Sequence, residues 1–104
     1  MAVTWMLSIH PELWDDADEA FEYYADIEEE LPQRFMSELR SSFKFVRVWP
    51  LAGRIFHVEY RRVALRSFPY LVCYRVIDDT VRMLAIIHDR RDPAWVRKKL
   101  DDRS

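Results

Sequence analysis

Along this chain the longest helical hydrophobic period ends just ahead of its single glycine, Gly53, and strand-like segments follow. Ahead of that point Leu13, Ala17, Ala20, Tyr24, Ile27 and Leu31 recur at steps of four, three, four, three and four. Such spacing lines one face of a helix. Pro11 suits the first helical turn, where a missing N–H costs nothing. Leu31-Pro32 breaks that helix and opens a second, whose face runs through Phe35, Leu39, Phe43 and Val46 until Trp49-Pro50. Two helices joined so tightly predict an antiparallel αα-hairpin. Beyond Gly53 the pattern is that of strands, over Val58 to Ser67, Tyr70 to Ile77 and Thr80 to Ile87. Phe68-Pro69 separates the first two, and Asp78-Asp79 makes a two-residue turn between the last two. Pro93 opens a tail helix with Val96 and Leu100 four apart and Asp92 as its N-cap. A short apolar segment from Val3 to Ile9 reads as a strand ahead of the helices. The expected order is therefore β-α-α-β-β-β with a C-terminal helix. That is an α+β fold, a helix hairpin packed on a small antiparallel sheet.

A chain of 104 residues encloses one small core, so residues 1–104 are expected to form a single domain. Its net charge of -2 hides a split. Residues 1–53 hold 4 basic and 11 acidic side chains, and residues 54–104 hold 12 basic and 7 acidic. The chain does not read as a generic nucleic-acid binder, yet its second half alone can meet an anionic partner. No apolar run approaches the ~20 residues of a membrane-spanning helix. The opening Met-Ala-Val-Thr-Trp lacks the basic and apolar regions of a signal peptide, and the expected location is cytosolic. Cys73 is the lone cysteine, and no Cys/His cluster has zinc spacing, so no metal is expected. One glycine leaves no room for a phosphate-cradling glycine-rich loop, and no nucleotide cofactor is expected.

Counting outward from Asp78-Asp79 sets a register for the last hairpin: Arg75 faces Arg82, Cys73 faces Leu84, and Leu71 faces Ile86. One sheet face then carries Tyr70, Val72, Tyr74, Val76, Val81, Met83, Ala85 and Ile87, and should pack on the helices. The other carries Leu71, Cys73, Leu84 and Ile86, rimmed by Arg75 and Arg82 at one end and His88 at the other. Opposed arginines destabilise an antiparallel pair unless an anion sits between them. An apolar strip with a cationic rim suits an acidic, amphipathic partner segment. The plainer reading is that the C-terminal helix folds over the strip and Asp101 or Asp102 neutralises the arginines.

Among the remaining polar residues, His88, Arg90 and Arg91 gather at a strand end, where a histidine can move a proton and arginines can hold phosphate oxygens. Any polar exit loop looks the same. His10 reads as a cap or a solvated residue, His57 beside Glu59 as structural, and Cys73 as a small buried hydrophobe. Trp5, Trp14, Trp49 and Trp95 read as core and helix-packing residues.

Residues 66–99 resemble the C-terminal half of the RelE/ParE superfamily of bacterial type II toxins. The shared features are Arg66, Phe68-Pro69-Tyr70, Tyr74, the Asp78-Asp79 turn, His88, and Arg91-Asp92-Pro93 followed by Trp95. The acidic helix hairpin and the Pro50 to Arg54 exit are similar too, so the resemblance spans nearly the whole chain. It implies a cytoplasmic toxin held by a cognate antitoxin, whose C-terminal segment orders against the toxin. The physical counterpart is the strip of Leu71, Cys73, Leu84 and Ile86 with Arg75 and Arg82. RelE-like members cut messenger RNA on the ribosome; ParE-like members poison DNA gyrase. This chain has Leu71 where the nucleases carry an arginine, no lysine in Val58 to Arg66, and no tyrosine after the His88 loop. Those departures place it nearer the ParE branch, with Arg62, Arg66, Arg90, Arg91 and Trp95 as candidates for touching the target. A nuclease would instead draw on Glu59, Arg66, His88 and Arg90. A third reading is a non-toxic relative that only binds an antitoxin.

Overall fold

The computed structural model describes residues 5–104. The order is β1 (Met6–Ile9), α1 (Leu13–Ala25), α2 (Leu31–Val48), β2 (Arg54–His57), β3 (Tyr60–Ala64), β4 (Tyr70–Ile77), β5 (Thr80–His88) and α3 (Pro93–Arg103). Val3 and Thr4, the start of the expected first strand, lie outside the described residues. The α+β class and the helix hairpin are as read from the periodicity. Leu13, Ala17, Ala20 and Tyr24 are the buried stripe of α1, and Phe35, Leu39 and Val46 that of α2. Ile27 departs from the expected stripe: it falls between the helices and is 56% exposed. Pro32 sits in the first turn of α2, where proline is tolerated. Asp92 caps α3, its side chain accepting from the Trp95 N–H at 3.2 Å.

The five strands form one sheet in the order β1-β5-β4-β3-β2. Three departures from the expected topology have local causes. First, β1 lies parallel to β5, so the sheet is mixed rather than antiparallel throughout. Second, the stretch expected as one strand from Val58 to Ser67 is a turn followed by a strand. Val58 and Glu59 form the tip of a β2–β3 hairpin, and Val58 takes a positive φ of 47°. A β-branched residue rarely adopts that conformation, so no turn signal marks the spot. Third, β5 bulges at Leu84. Tyr74 pairs with Met83, but Cys73 pairs with Ala85 and Leu71 with Ile87. An extra residue in one strand shifts everything beyond it to the opposite face.

That shift redistributes the two cores. On the hairpin side, Val72, Tyr74, Val81, Met83 and Ile86 pack with α1 and α2. Tyr24, Phe35, Phe68 and Tyr70 meet there edge to face, with Tyr24–Phe68 centroids 4.8 Å apart and Phe35–Phe68 5.4 Å apart. The Phe68-Pro69-Tyr70 triplet is thus a plug that ties the β3–β4 loop under the helices. Each such ring adds about 2–3 kcal/mol through the area it removes from water. On the far side, Tyr60, Cys73, Leu84, Ala85 and Ile87 pack with Leu100 of α3. The plainer of the two expectations for the apolar strip therefore holds for Cys73 and Leu84, which lie beneath α3. Ile86 leaves the strip for the helix side, because of the bulge.

Candidate functional site

Arg75 and Arg82 do face each other, as expected. They need no anion between them, because they reach apart. Arg75 extends over β3 to Glu59 at 2.7 Å and to the Ser104 hydroxyl, while Arg82 donates to the Ser8 hydroxyl at 2.6 Å. Neither Asp101 nor Asp102 neutralises them: Asp101 accepts from the Tyr60 hydroxyl at 2.7 Å. The arginine rim read from the sequence is thus engaged within the chain.

The open part of this face lies at the other end of the strip. Leu71, Cys73 and Ile87 floor a groove of about 460 Å³ that runs between the β2–β3 hairpin and the first turns of α3. Arg62 enters from β3, Arg91 from the β5–α3 loop and Arg97 from α3, with His57 and His88 beside them. Asp89 is the one acid lining it. Arg62 lies over the Phe56 ring at 5.0 Å, a contact that orients a guanidinium without cancelling its charge. Arg54 pairs across the strands with Arg62 and adds a further cation at the rim.

A second groove, of about 410 Å³, lies between α1 and α3, where β1 stops short and leaves the edge of β5 uncovered beyond Met83. Arg90, Arg91 and Trp95 line it opposite Glu19 and Tyr23. Trp95 is held between Arg91, 4.5 Å from its ring, and Lys99, 4.6 Å away, and is 39% exposed. Trp14 and Trp49 are likewise exposed rather than core residues, whereas Trp5 packs against the core as expected. Tyr70 and His88, opposite each other on β4 and β5, close the groove with ring centroids 5.3 Å apart. Burial, then Glu19 and Tyr23, raise the Tyr70 phenol above its ordinary value; Arg91 opposes them. Tyr70 is therefore neutral at physiological pH. The His88 Nδ1 accepts from the Arg90 N–H at 3.1 Å, which fixes the loop that follows.

The five target-contact candidates divide between these sites. Arg62 and Arg91 share the first groove, Arg90, Arg91 and Trp95 share the second, and Arg66 stands apart beside Ser37 and Phe45 of α2. The nuclease set does not converge. Glu59 adjoins the Tyr60–Arg75 pair, while His88 faces Tyr70, five residues further along β4. Five strand residues span about 17 Å. His10 caps the chain entering α1 through the Glu12 N–H at 3.1 Å, and His57 stacks on Tyr60.

Two groups of consequence escaped the sequence reading. Arg97 and His57 complete the cationic groove, yet neither has a local motif. Asp16 is buried at the head of the second groove, in a helix whose other carboxylates are exposed. Its position three residues after Leu13 and four before Ala20 was the available signal. Burial first pushes the Cys73 thiol up to about 12; Arg62 pulls the other way and Asp16 adds to the rise. The native protein should therefore react with a disulfide reagent roughly a thousandfold more slowly than the unfolded chain. Equal rates in a stopped-flow thiol assay would contradict its placement. Among the described residues no cluster of His, Cys, Asp or Glu is placed to hold a metal ion. No helix among them is long and apolar enough to cross a membrane.

A helix hairpin on one sheet face, a capped C-terminal helix on the other and arginines around the exit of β5 define a small toxin fold of the RelE/ParE type. A solved structure described as a chromosomal ParDE TA system from P. aeruginosa has this fold. It superposes with a TM-score of 0.72 at 20% identity, covering 82% of this chain and 96% of that one. The model of the family "ParE toxin of type II toxin-antitoxin system, parDE" matches residues 7–93. Toxin ParE2 of Mycobacterium tuberculosis, in strains CDC 1551 / Oshkosh and H37Rv, is 30% identical over 103 residues, 98% of each chain. The chain belongs to the ParE toxin family of type II toxin–antitoxin systems.

Proposed function

We propose that residues 1–104 form a single cytoplasmic toxin domain that inhibits DNA gyrase by binding it, and that a cognate antitoxin neutralises it. Membership of the ParE family supports the toxin role. The observation that carries the choice of binding over nuclease chemistry is the separation of Glu59 from His88 along the sheet. General acid and base groups must both come within hydrogen-bond reach of one reacting centre. With Glu59 paired to Arg75 and Arg66 on the helix side, no such centre assembles from that set. The exposed cations and Trp95 around the two grooves are the surface we assign to the target. Arg62, Arg90 and Arg91 supply charge, and Trp95 supplies an aromatic anchor of the kind that dominates protein interfaces.

Purified protein added to gyrase should block supercoiling and accumulate cleaved DNA, and Arg91→Ala together with Trp95→Ala should weaken that inhibition at least tenfold. Cleavage of message in a purified translation system, lost in His88→Ala, would establish the ribonuclease reading instead. Induction without growth arrest in a host with intact gyrase would leave only the antitoxin-binding relative.

A further inference from the structure

Away from both grooves, the exposed apolar residues are unevenly spread. Six of the twelve large ones among the described residues fall in one short stretch: Phe45, Val48, Trp49, Leu51, Ile55 and Val58. Apart from Val58, at the tip of the β2–β3 turn, they form one face. The Trp49 N–H donates to the Phe45 carbonyl at 2.8 Å, so these two residues lie one turn apart at the end of α2. Arg61 joins the following loop to the sheet, donating to the Leu51 carbonyl at 3.0 Å and standing opposite Ile55 across β2 and β3. Arg61 also pairs with Tyr74, which packs with the helices, so the face lies on the opposite side of the sheet from the first groove. Its five side chains expose about 500 Å², near the top of the range for the largest apolar patch of a monomer. The same stretch is free of acid. From Leu39 to Val58 the chain has none of its 18 acidic residues, while Arg40, Lys44, Arg47 and Arg54 are all exposed. Finally, β2 ends the sheet, so the outer N–H and C=O groups of Arg54–His57 have no strand beside them.

We infer that this face docks a second part of the target: an extended gyrase segment, apolar and acidic by turns, that adds to β2 as a sixth strand. Its apolar side chains cover Trp49, Leu51 and Ile55, and its carboxylates meet Lys44, Arg47 and Arg54. The inference rests on the proposed inhibition of gyrase by binding and adds a contact away from the two grooves. A toxin that acts by binding alone needs an interface of about 800 Å² on its own side. Trp95 and Tyr23, the exposed rings beside the second groove, fall well short of that area, whereas this face supplies most of it. Other occupants fit less well. A bilayer would bury the outer edge of β2 with its polar groups unpaired, whereas a partner strand pairs with them. A nucleic acid gains no stacking from Val48, Leu51 and Ile55. A second copy docked across a two-fold axis would set Lys44, Arg47 and Arg54 against themselves.

The test joins a gyrase supercoiling assay to hydrogen exchange of the full chain. With gyrase present, the amides of Arg54–His57 should exchange about tenfold more slowly than in the free chain. Trp49→Asp with Ile55→Asp should weaken inhibition about 100-fold, by setting charge into the centre of an apolar contact. Lys44→Glu with Arg47→Glu, both on the exposed side of α2, should weaken it about tenfold and serves if the first pair fails to fold. Ile27→Asp, at an exposed isoleucine between α1 and α2, should leave inhibition unchanged. Inhibition unaltered in both patch variants, or no protection of Arg54–His57, overturns the inference and leaves the gyrase reading standing. No inhibition by the unaltered chain overturns the gyrase reading and the inference with it. Three further outcomes overturn the inference by naming another occupant, each with gyrase inhibition intact in Trp49→Asp/Ile55→Asp. They are a dimer of the free chain that this variant dissolves, and binding to phosphatidylglycerol vesicles or to duplex DNA that it abolishes.

Discussion

Gly53→Ala should cost roughly 3–5 kcal/mol, combining an overpacked core with broken buried hydrogen bonds. A Cβ at this position would stand 2.1 Å from the Tyr74 hydroxyl oxygen and 2.7 Å from the ring carbon that bears it. Backbone conformation is not the reason for the glycine, since Val58 and Asp78 are the positive-φ residues. The reason is the approach of Tyr74, a fully buried side chain whose hydroxyl accepts from the Gly53 N–H at 3.0 Å and donates to the Pro50 carbonyl at 2.8 Å. The ring is held by the core around it, so either the exit from α2 moves or both hydrogen bonds break. Arg61 adds to the stiffness by donating to the Leu51 and Gly53 carbonyls. Tyr74→Phe alone should cost about 1–3 kcal/mol, for the orphaned partners. Combined with Gly53→Ala it should rescue part of the loss, because the 2.1 Å contact disappears while the ring contact remains. A melting temperature of Gly53→Ala equal to that of the unaltered protein would refute this account of the crossing.

The same glycine shows what sequence reasoning reaches and what it does not. As punctuation it is legible: the helical period ends before it and strands begin after it. Its partner, 21 residues away on a central strand, is not legible, because close approach is a tertiary fact. The contrast recurs across the fold. The α1 and α2 stripes, the Asp92 cap and the Asp78-Asp79 turn depend on neighbours within a few residues, and all are present. The Val58-Glu59 turn carries no turn residue, and its strain is sustained by the β2–β3 ladder rather than announced by the sequence. The bulge at Leu84 is hidden for a different reason. A run of apolar residues from Met83 to Ile87 reads the same in either register, so counting from the turn keeps a period that the strand itself drops. In the candidate site, Arg62, Arg91 and Leu71 were visible as types of residue. Arg97 belonged to an unremarkable charged helix until α3 folded over the sheet and turned it toward them.

Asp16→Ala should be the second severe substitution, costing about 3–5 kcal/mol because it strands buried positive charge. Asp16 accepts from Arg103 through both carboxylate oxygens, at 2.6 and 3.0 Å, and Lys99 lies 3.2 Å away. Its third role is to accept from the Ile86 N–H at 3.0 Å, while Arg103 donates to the Leu84 carbonyl at the same distance. These are edge groups of β5 around the bulge, beyond the point where β1 ends opposite Met83. The carboxylate and guanidinium thus occupy the place of the missing strand and tie α1 to α3 through the sheet edge. Arg103 side-chain exposure is only 9%, so water cannot replace the lost partner cheaply. Without it α3 should loosen from Leu100 outward, and protease should then cut within Pro93–Arg103 in the variant but not in the unaltered protein. Arg103→Met should cost less, since Asp16 keeps Lys99. The double variant Asp16→Leu/Arg103→Met should lose clearly less than the sum of the two single variants, because no buried charge is left unpaired. It should still fall short of the unaltered protein, as the Ile86 N–H and Leu84 carbonyl remain without partners. Strict additivity of the two losses in urea unfolding would show that Asp16 and Arg103 stabilise the fold independently, and the edge lock would then be the wrong description of how α3 is held.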